Sequence, residues 1–345
     1  MSLTVREPGL QSLLVDFGRE RSRALGISVG GAADRAALTL GNALVGNPPH
    51  AVALEVAFAG PTLEAHHPVA CVIFGAPFQS TLNGNPLPTG TTFTLEPGDI
   101  LRVGGTRTGA RAYLCVAGGF HAEEILGSRS ALEPIRAGDT LQCAVSRTES
   151  RSLPFCEARP TPPSPLPEGK GEKELSANIA SNTAGEHTCS PFPSGRGDGG
   201  VGSAHPLRVL NGPQRDWFTD DTFFTQTYEV SAASNRMGLR LKGAPLSRVP
   251  GELVSEAVAP GAVQVTNDGL PIVLGVDGQT IGGYPKVAHL IRADLDLLAQ
   301  LRPNDRVQFV CVSPDEADHA ARARAAFLSE WVTRLRITER QPVIG

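Results

Sequence analysis

The sequence predicts a mainly β protein with a few helices, built as two copies of one strand-rich unit. Three observations carry that expectation. Gly (38) and Pro (28) are abundant among 345 residues while aromatic residues make up 5%, which suits many short strands and turns rather than a helical bundle. Apolar, β-branched runs of strand length recur between turn residues. Finally, a series of short matches ties the second half of the chain to the first in one shared order.

The repeat sets the two units. Val29-Gly30-Gly31-Ala32-Ala33-Asp34-Arg35 parallels Val230-Ser231-Ala232-Ala233-Ser234-Asn235-Arg236. At the same spacing Glu55 falls onto Glu256, and Cys71-Val72-Ile73 onto Ile272-Val273-Leu274. Residues 1–148 form the first unit and 205–345 the second. Between them, 149–204 is rich in Pro, Gly and Ser and carries two copies of S-P-x-P-x-G-x-G, at Ser164 and Ser190. Such text buries too little apolar surface to offset its chain entropy, so it reads as a disordered linker with no catalytic part.

In chain order, Asp34 before Ala36, Leu40 and Leu44, with Gly46 beyond, predicts a capped helix. Residues 70–74, 100–103 and 112–117 read as strands of the first unit, and 262–266, 272–276 and 306–312 as strands of the second. Antiparallel strands at this spacing close into a small barrel or sandwich. A short helix is predicted over 293–301, stopped by Pro303. Ser313, Pro314 and Glu316 make an N-terminal capping signature for a last helix. Its apolar face, Ala320, Phe327, Leu328, Trp331 and Leu335, is expected to pack on a barrel wall.

Net charge is −4 with no basic stripe, so nucleic acid is not an expected partner. No apolar run reaches the roughly 18 residues of a membrane span, and Met1 to Glu7 lacks a signal-peptide layout. A cytoplasmic protein is expected. The six cysteines form no C-x-x-C pair, and Cys71, Cys115 and Cys311 sit in apolar runs as small hydrophobes. No metal site is expected, and His66-His67 reads as a solvated strand end. The four lysines, Lys170, Lys173, Lys242 and Lys286, are followed by Gly, Glu, Gly and Val, so there is no P-loop. Met1 and Met237 are the only methionines, so no biotin is carried on this chain. No G-x-S-x-G elbow is present.

The chemistry concentrates in Asp277-Gly278-Gln279-Thr280-Ile281-Gly282-Gly283-Tyr284-Pro285, directly after an apolar strand. Paired glycines let backbone approach a ligand and free N–H groups for an anion. Asn235-Arg236 couples an amide to a bidentate donor that suits carboxylate or phosphate, or else marks a turn with a surface Arg. Glu55 and Glu256 stand in apolar text, where a carboxylate needs a partner, structural or functional. Gln264 lies on the strand before the motif. Lys286, just after it, can meet an anion.

As a set, Asp277-x-Gln279-Thr280-x-Gly282-Gly283-Tyr284-Pro285, Asp294-Leu295, Gln300-x-x-Pro303, Asn42-x-Leu44-Val45-Gly46-Asn47, Leu54-Glu55, Gly212-Pro213-Gln214, Ser234-Asn235-Arg236-Met237-Gly238 and Ser255-Glu256 resemble the allophanate hydrolase subunit 2 family. That family includes the C subunit of bacterial 5-oxoprolinase, the protein called KipA, and the carboxyltransferase region of urea carboxylase. The resemblance implies two tandem cyclophilin-like β-barrels. It implies ATP with Mg shared with a partner, a KipI-like B subunit and a LamB/YcsF-like A subunit. The implied activity is ATP-dependent opening of the 5-oxoproline lactam to L-glutamate. The alternatives are carboxyl transfer from biotin on another protein to urea or a related amide, and KipA-like regulatory binding. On this resemblance Asp277, Gln279 and Glu256 are the catalytic candidates. Arg236, Asn235, Thr280, Tyr284 and Gln264 would bind substrate, and Gly282, Gly283 and Lys286 would bind ATP. Three positions depart from the family pattern: Gly278 where Arg or Lys is frequent, Ile281 where Ser or Thr is usual, and Asn235 where Asp is common.

Overall fold

The structure, a computed structural model, describes residues 2–153, 204–249 and 251–338. Nearly all of the 149–204 segment, with Cys156 and Cys189, lies outside them. At its near end the first unit's pairing continues past Thr148, because Thr92 N donates to Arg151 O at 2.7 Å and Thr91 bridges Ser152.

The chain is mainly β, with few helices. The first unit folds as two antiparallel sheets of six and five strands. Strand Arg111–Val116 runs between Ala53–Ala57 and Val69–Gly75. All six of its residues are buried, as expected for a strand covered on both faces. Leu54, Val56, Leu63, Cys71, Leu101 and Leu114 fill the space between the sheets. The second unit closes as a seven-stranded barrel, sealed where His205–Asn211 runs parallel to Arg306–Cys311. Its interior holds Val209, Val263, Val273 and Val287, with Phe223 stacked on Phe309 at 4.5 Å.

Helix Arg35–Leu44 starts where the sequence places it: the Asp34 side chain accepts a hydrogen bond from Ala37 N at 2.8 Å. Helix Pro314–Thr338 opens on the expected reciprocal cap. Ser313 N donates to Glu316 Oε2 at 2.7 Å, and Glu316 N donates to Ser313 Oγ at 3.2 Å. Its apolar face goes to the other unit. Trp331 and Leu335 are buried with Leu38, Leu40, Leu44 and Phe74, against helix Arg35–Leu44 and the five-stranded sheet. The helix predicted over 293–301 is shorter, a 3-10 turn at Arg292–Asp294 running into Leu295–Leu298. Two further readings are corrected. Cys311 is exposed rather than packed, and His67 is buried, its Nδ1 accepting from Ser2 N at 2.9 Å. Among the described residues no group of three or more His, Cys, Asp or Glu can hold a metal ion, and no helix is long and apolar enough to cross a membrane.

Polar side chains join the units along one seam. Gln300 Oε1 accepts from Ala110 N and Arg111 N, both at 3.0 Å, and its amide nitrogen donates to Asp34 Oδ2 at 2.7 Å. Arg302 donates to Gly109 O at 2.7 Å, and Gly30 N to Val276 O at 2.9 Å. The seam also places the Asp277 motif against the first unit.

Candidate functional site

The seam centres on Arg236. Its Nε and NH2 donate to the two carboxylate oxygens of Asp277 at 2.7 and 3.0 Å, NH1 pairs with Glu55, and NH2 also donates to Gly31 O at 2.7 Å. Glu55 and Tyr113 are opposite each other on neighbouring strands, so the Tyr113 hydroxyl meets the carboxylate at 2.7 Å. Ala33 N donates to the same oxygen at 2.9 Å. Burial alone pushes Glu55 up, but Arg236, Arg111, the Ala33 amide and the Tyr113 hydroxyl outweigh it and hold its carboxyl below the ordinary value. Burial lowers the Arg236 pKa, and Glu55 and Asp277 more than restore it, so the guanidinium is a permanent cation.

The second cluster lies at the glycine-rich corner. Ile281–Gly282 pairs with Glu256–Ala257 in a two-stranded ladder, which brings Glu256 over strand Lys286–Leu290. Lys286 Nζ is ion-paired with Glu256, and Gln214 Nε2 donates to the same carboxylate oxygen at 2.9 Å. These contacts hold the Glu256 carboxyl below its ordinary range, Lys286 most strongly. A register shift between Val263 and Gln264 re-aims the latter, which faces Lys286 across the ladder. Gln264 is 2% exposed. Its Oε1 accepts from Gln279 Nε2 at 3.3 Å, whereas its own Nε2 is shielded from solvent and has no hydrogen-bond partner. Such an orphan donor costs about 1–3 kcal/mol and invites an acceptor atom. Both amides lie over Gly282, where a Cβ would come within 2.5 Å of Gln264 Nε2 and 2.8 Å of Gln279 Nε2. A methyl group there would push both amide ends out of these positions.

The structure therefore brings together Glu256, Gln264, Gln279, Gly282 and Lys286, with Asp277 at the seam end of the same turn. Other expected residues sit differently. Four of the five guanidinium N–H groups of Arg236 are engaged inside the protein, so it positions Asp277 and is not a free donor for a substrate carboxylate. Asn235 is exposed and closes its own turn, its Oδ1 accepting from Met237 N at 2.9 Å and Gly238 N at 3.3 Å. The Thr280 side chain is buried, and its carbonyl accepts from Val258 N at 2.9 Å. Tyr284 is partly exposed without a hydrogen bond among the described residues. Lys286 is ion-paired with Glu256 and Gly282 lies under the two amides, while Gly283 is exposed. Sequence reasoning missed Gln214, Tyr113 and Arg111. Gln214 was visible only within Gly212-Pro213-Gln214, and the other two only as part of an apolar strand.

Two β units joined through a buried ion-pair seam, with a donor-rich corner on the second, define the class. Residues 25–311 match the model of the carboxyltransferase domain, subdomain A and B, and the chain belongs to that family. Among its relatives it is 32% identical to the C subunit of 5-oxoprolinase from Escherichia coli (strain K12), over 96% of this chain and 98% of that protein. It is 30% identical to the C subunit of 5-oxoprolinase from Haemophilus influenzae, over 93% and 94%. The urea amidolyase of Saccharomyces cerevisiae is 26% identical over 90% of this chain and 17% of its own length. Of solved structures, TTHA0988 superposes with a TM-score of 0.70 at 32% identity, covering 90% of this chain. This chain spans about half the length of that one, 55%. The Kluyveromyces lactis urea amidolyase gives 0.76 at 24% identity over 96% of this chain and 20% of that one, a likeness of fold.

Proposed function

We propose that this chain is the C subunit of an ATP-dependent 5-oxoprolinase, acting with B- and A-type partners to open 5-oxoproline to L-glutamate. The observation that carries the reading is the orphan amide of Gln264, held beside Gln279, Gly282 and the Lys286–Glu256 pair. Amide N–H donors suit the carboxylate of 5-oxoproline, and Gln279, the exposed one of the two, can swing to admit it. Glu256 stays ionised at neutral pH and keeps Lys286 in place. The outward part of Asp277, which is 32% exposed, suits the ring N–H, while Arg236 fixes its orientation. We place the groups that hold ATP and Mg on the partner, with this chain supplying the amide-binding side.

The test is to co-purify the chain with its B- and A-type partners and measure glutamate and ADP release from 5-oxoproline. ATP-dependent glutamate formation is expected, and Gly282→Ala should lower it at least tenfold by displacing both amides. A complete mixture that binds 5-oxoproline yet releases no glutamate overturns the reading. The urea amidolyase relatives favour a second one, carboxyl transfer from biotin on another protein to an amide. Carboxylated urea formed with bicarbonate and a biotin carboxylase, in place of glutamate, would select it.

A further inference from the structure

Arg19, which no motif marked, approaches the same point above Gly30 as Asp277. It is 4% exposed. Its Nε donates to Ile125 O at 3.2 Å and its NH2 to Ser130 O at 2.6 Å, which fixes the plane of the guanidinium. The loop is pinned at its base by Asp16, which accepts from Gly18 N at 2.7 Å and from the Ser128 and Ser130 hydroxyls at 2.6 Å each. NH1 makes no hydrogen bond among the described residues. Gly30 has φ 64°. A Cβ built on it would lie 3.5 Å from Arg19 NH1 and 3.8 Å from Asp277 Oδ1, with no other non-neighbouring heavy atom inside 4 Å. There is thus room for a carbon atom in contact with both a fixed cationic donor and a carboxylate acceptor.

A lone anion in this space meets Asp277, and a lone cation meets Arg19. A group with an acceptor and a donor on one edge satisfies both. A lactam has that edge, because its ring forces the C=O and N–H onto the same side. We infer that Arg19 and Asp277 form the subsite that reads the cyclic-amide edge, Arg19 donating to the carbonyl oxygen and Asp277 accepting from the ring N–H. The inference deepens the 5-oxoprolinase reading and rests on it for the identity of the substrate. A guanidinium at the carbonyl also favours the charge that develops on oxygen when the lactam is activated.

Two variants test it in the complete complex. Gly30→Ala fills the space and keeps both charges, and Arg19→Lys keeps the charge but removes the NH1 reach. Each should raise KM for 5-oxoproline at least tenfold. By ligand-observed NMR on the same complex, 2-pyrrolidinone should displace 5-oxoproline at least tenfold better than N-methyl-2-pyrrolidinone, which has no N–H. Should Gly30→Ala fail to fold, the Arg19→Lys kinetics and the lactam pair decide. Turnover with unchanged KM in the variants and equal displacement by both lactams overturns the subsite while leaving the functional reading intact. Preference for the N–H lactam, with both lactams bound at least tenfold more weakly in Arg19→Lys, in a complex that releases no glutamate sustains the subsite and overturns the functional reading.

Discussion

Arg236 and Gln264 make opposite use of burial. Arg236 is 5% exposed and its cost is offset by two carboxylates and a carbonyl, so it is expensive to remove. Truncation leaves Glu55 ionised in the seam with Arg111, 3.5 Å away, as its remaining cation among the described residues. Breaking a buried pair from one side costs about 3–5 kcal/mol, so Arg236→Met should lower the urea midpoint strongly. Adding Glu55→Gln should recover part of that loss, because the stranded charge is gone. If the double variant is no more stable than Arg236→Met, the ion pair is not what holds the seam. Gln264 is the reverse case. Its nitrogen satisfies nothing in the folded chain, so Gln264→Leu should leave stability unchanged or slightly raised while lowering 5-oxoproline turnover at least tenfold. A fall in melting temperature matching the fall in activity would mean that the amide serves the fold.

At the scale of elements, helix Pro314–Thr338 belongs to one unit by sequence and to the other by packing. Trp331 is 4% exposed within the first unit's outer cluster. Trp331→Ala should therefore cost about 3–5 kcal/mol, and hydrogen exchange should show helix Arg35–Leu44 losing protection before the barrel does. Loss of protection in the barrel first would place the helix with its own unit. The start of each long helix was legible because Asp34 and Ser313 with Glu316 are local signals, as were the strands near 70–74, 100–103 and 306–312, whose apolar runs need no partner to be recognised. The destination of the last helix was not legible, since an apolar face does not name what it covers. The repeat left roles open for the same reason. Glu55 and Glu256 align, yet one is sealed by Arg236, Tyr113 and Ala33 and the other is half-exposed on Lys286. The glycine corner was visible because Asp, Gln and Gly-Gly interrupt a strand pattern. Arg19 was not, because its site exists only once a loop of one unit meets a turn of the other.

For the whole molecule, buried acids make stability depend on pH in two opposing ways. Glu55 and Asp16 have folded-state values below the ordinary 4.5 and 3.8. For Asp16 burial raises the value, and the hydroxyls of Ser128 and Ser130 with the amides of Arg129 and Gly18 lower it further. The stabilisation these two supply is present above their ordinary values and is lost as pH falls through the folded ones. Asp34 runs the other way. Burial first, and then the neighbouring Asp296 carboxylate, push it from 3.8 up to about 7. Its protonated form is favoured in the folded state, so that contribution is complete below its ordinary value and disappears as pH rises through about 7. Stability should therefore climb on leaving strong acid, decline again as pH rises towards about 7, and level off above it. Asp296 accepts from Arg35 N at 3.0 Å and from Arg324 at 3.2 Å, so Asp296→Asn carries a pH-independent cost. It also removes the like charge beside Asp34. Urea unfolding at a series of pH values from about 5 to 8, the window of the Asp34 shift, should give a shallower decline for Asp296→Asn than for the parent, whatever its absolute offset. Parallel curves would show that the two acids at the unit junction do not sense each other.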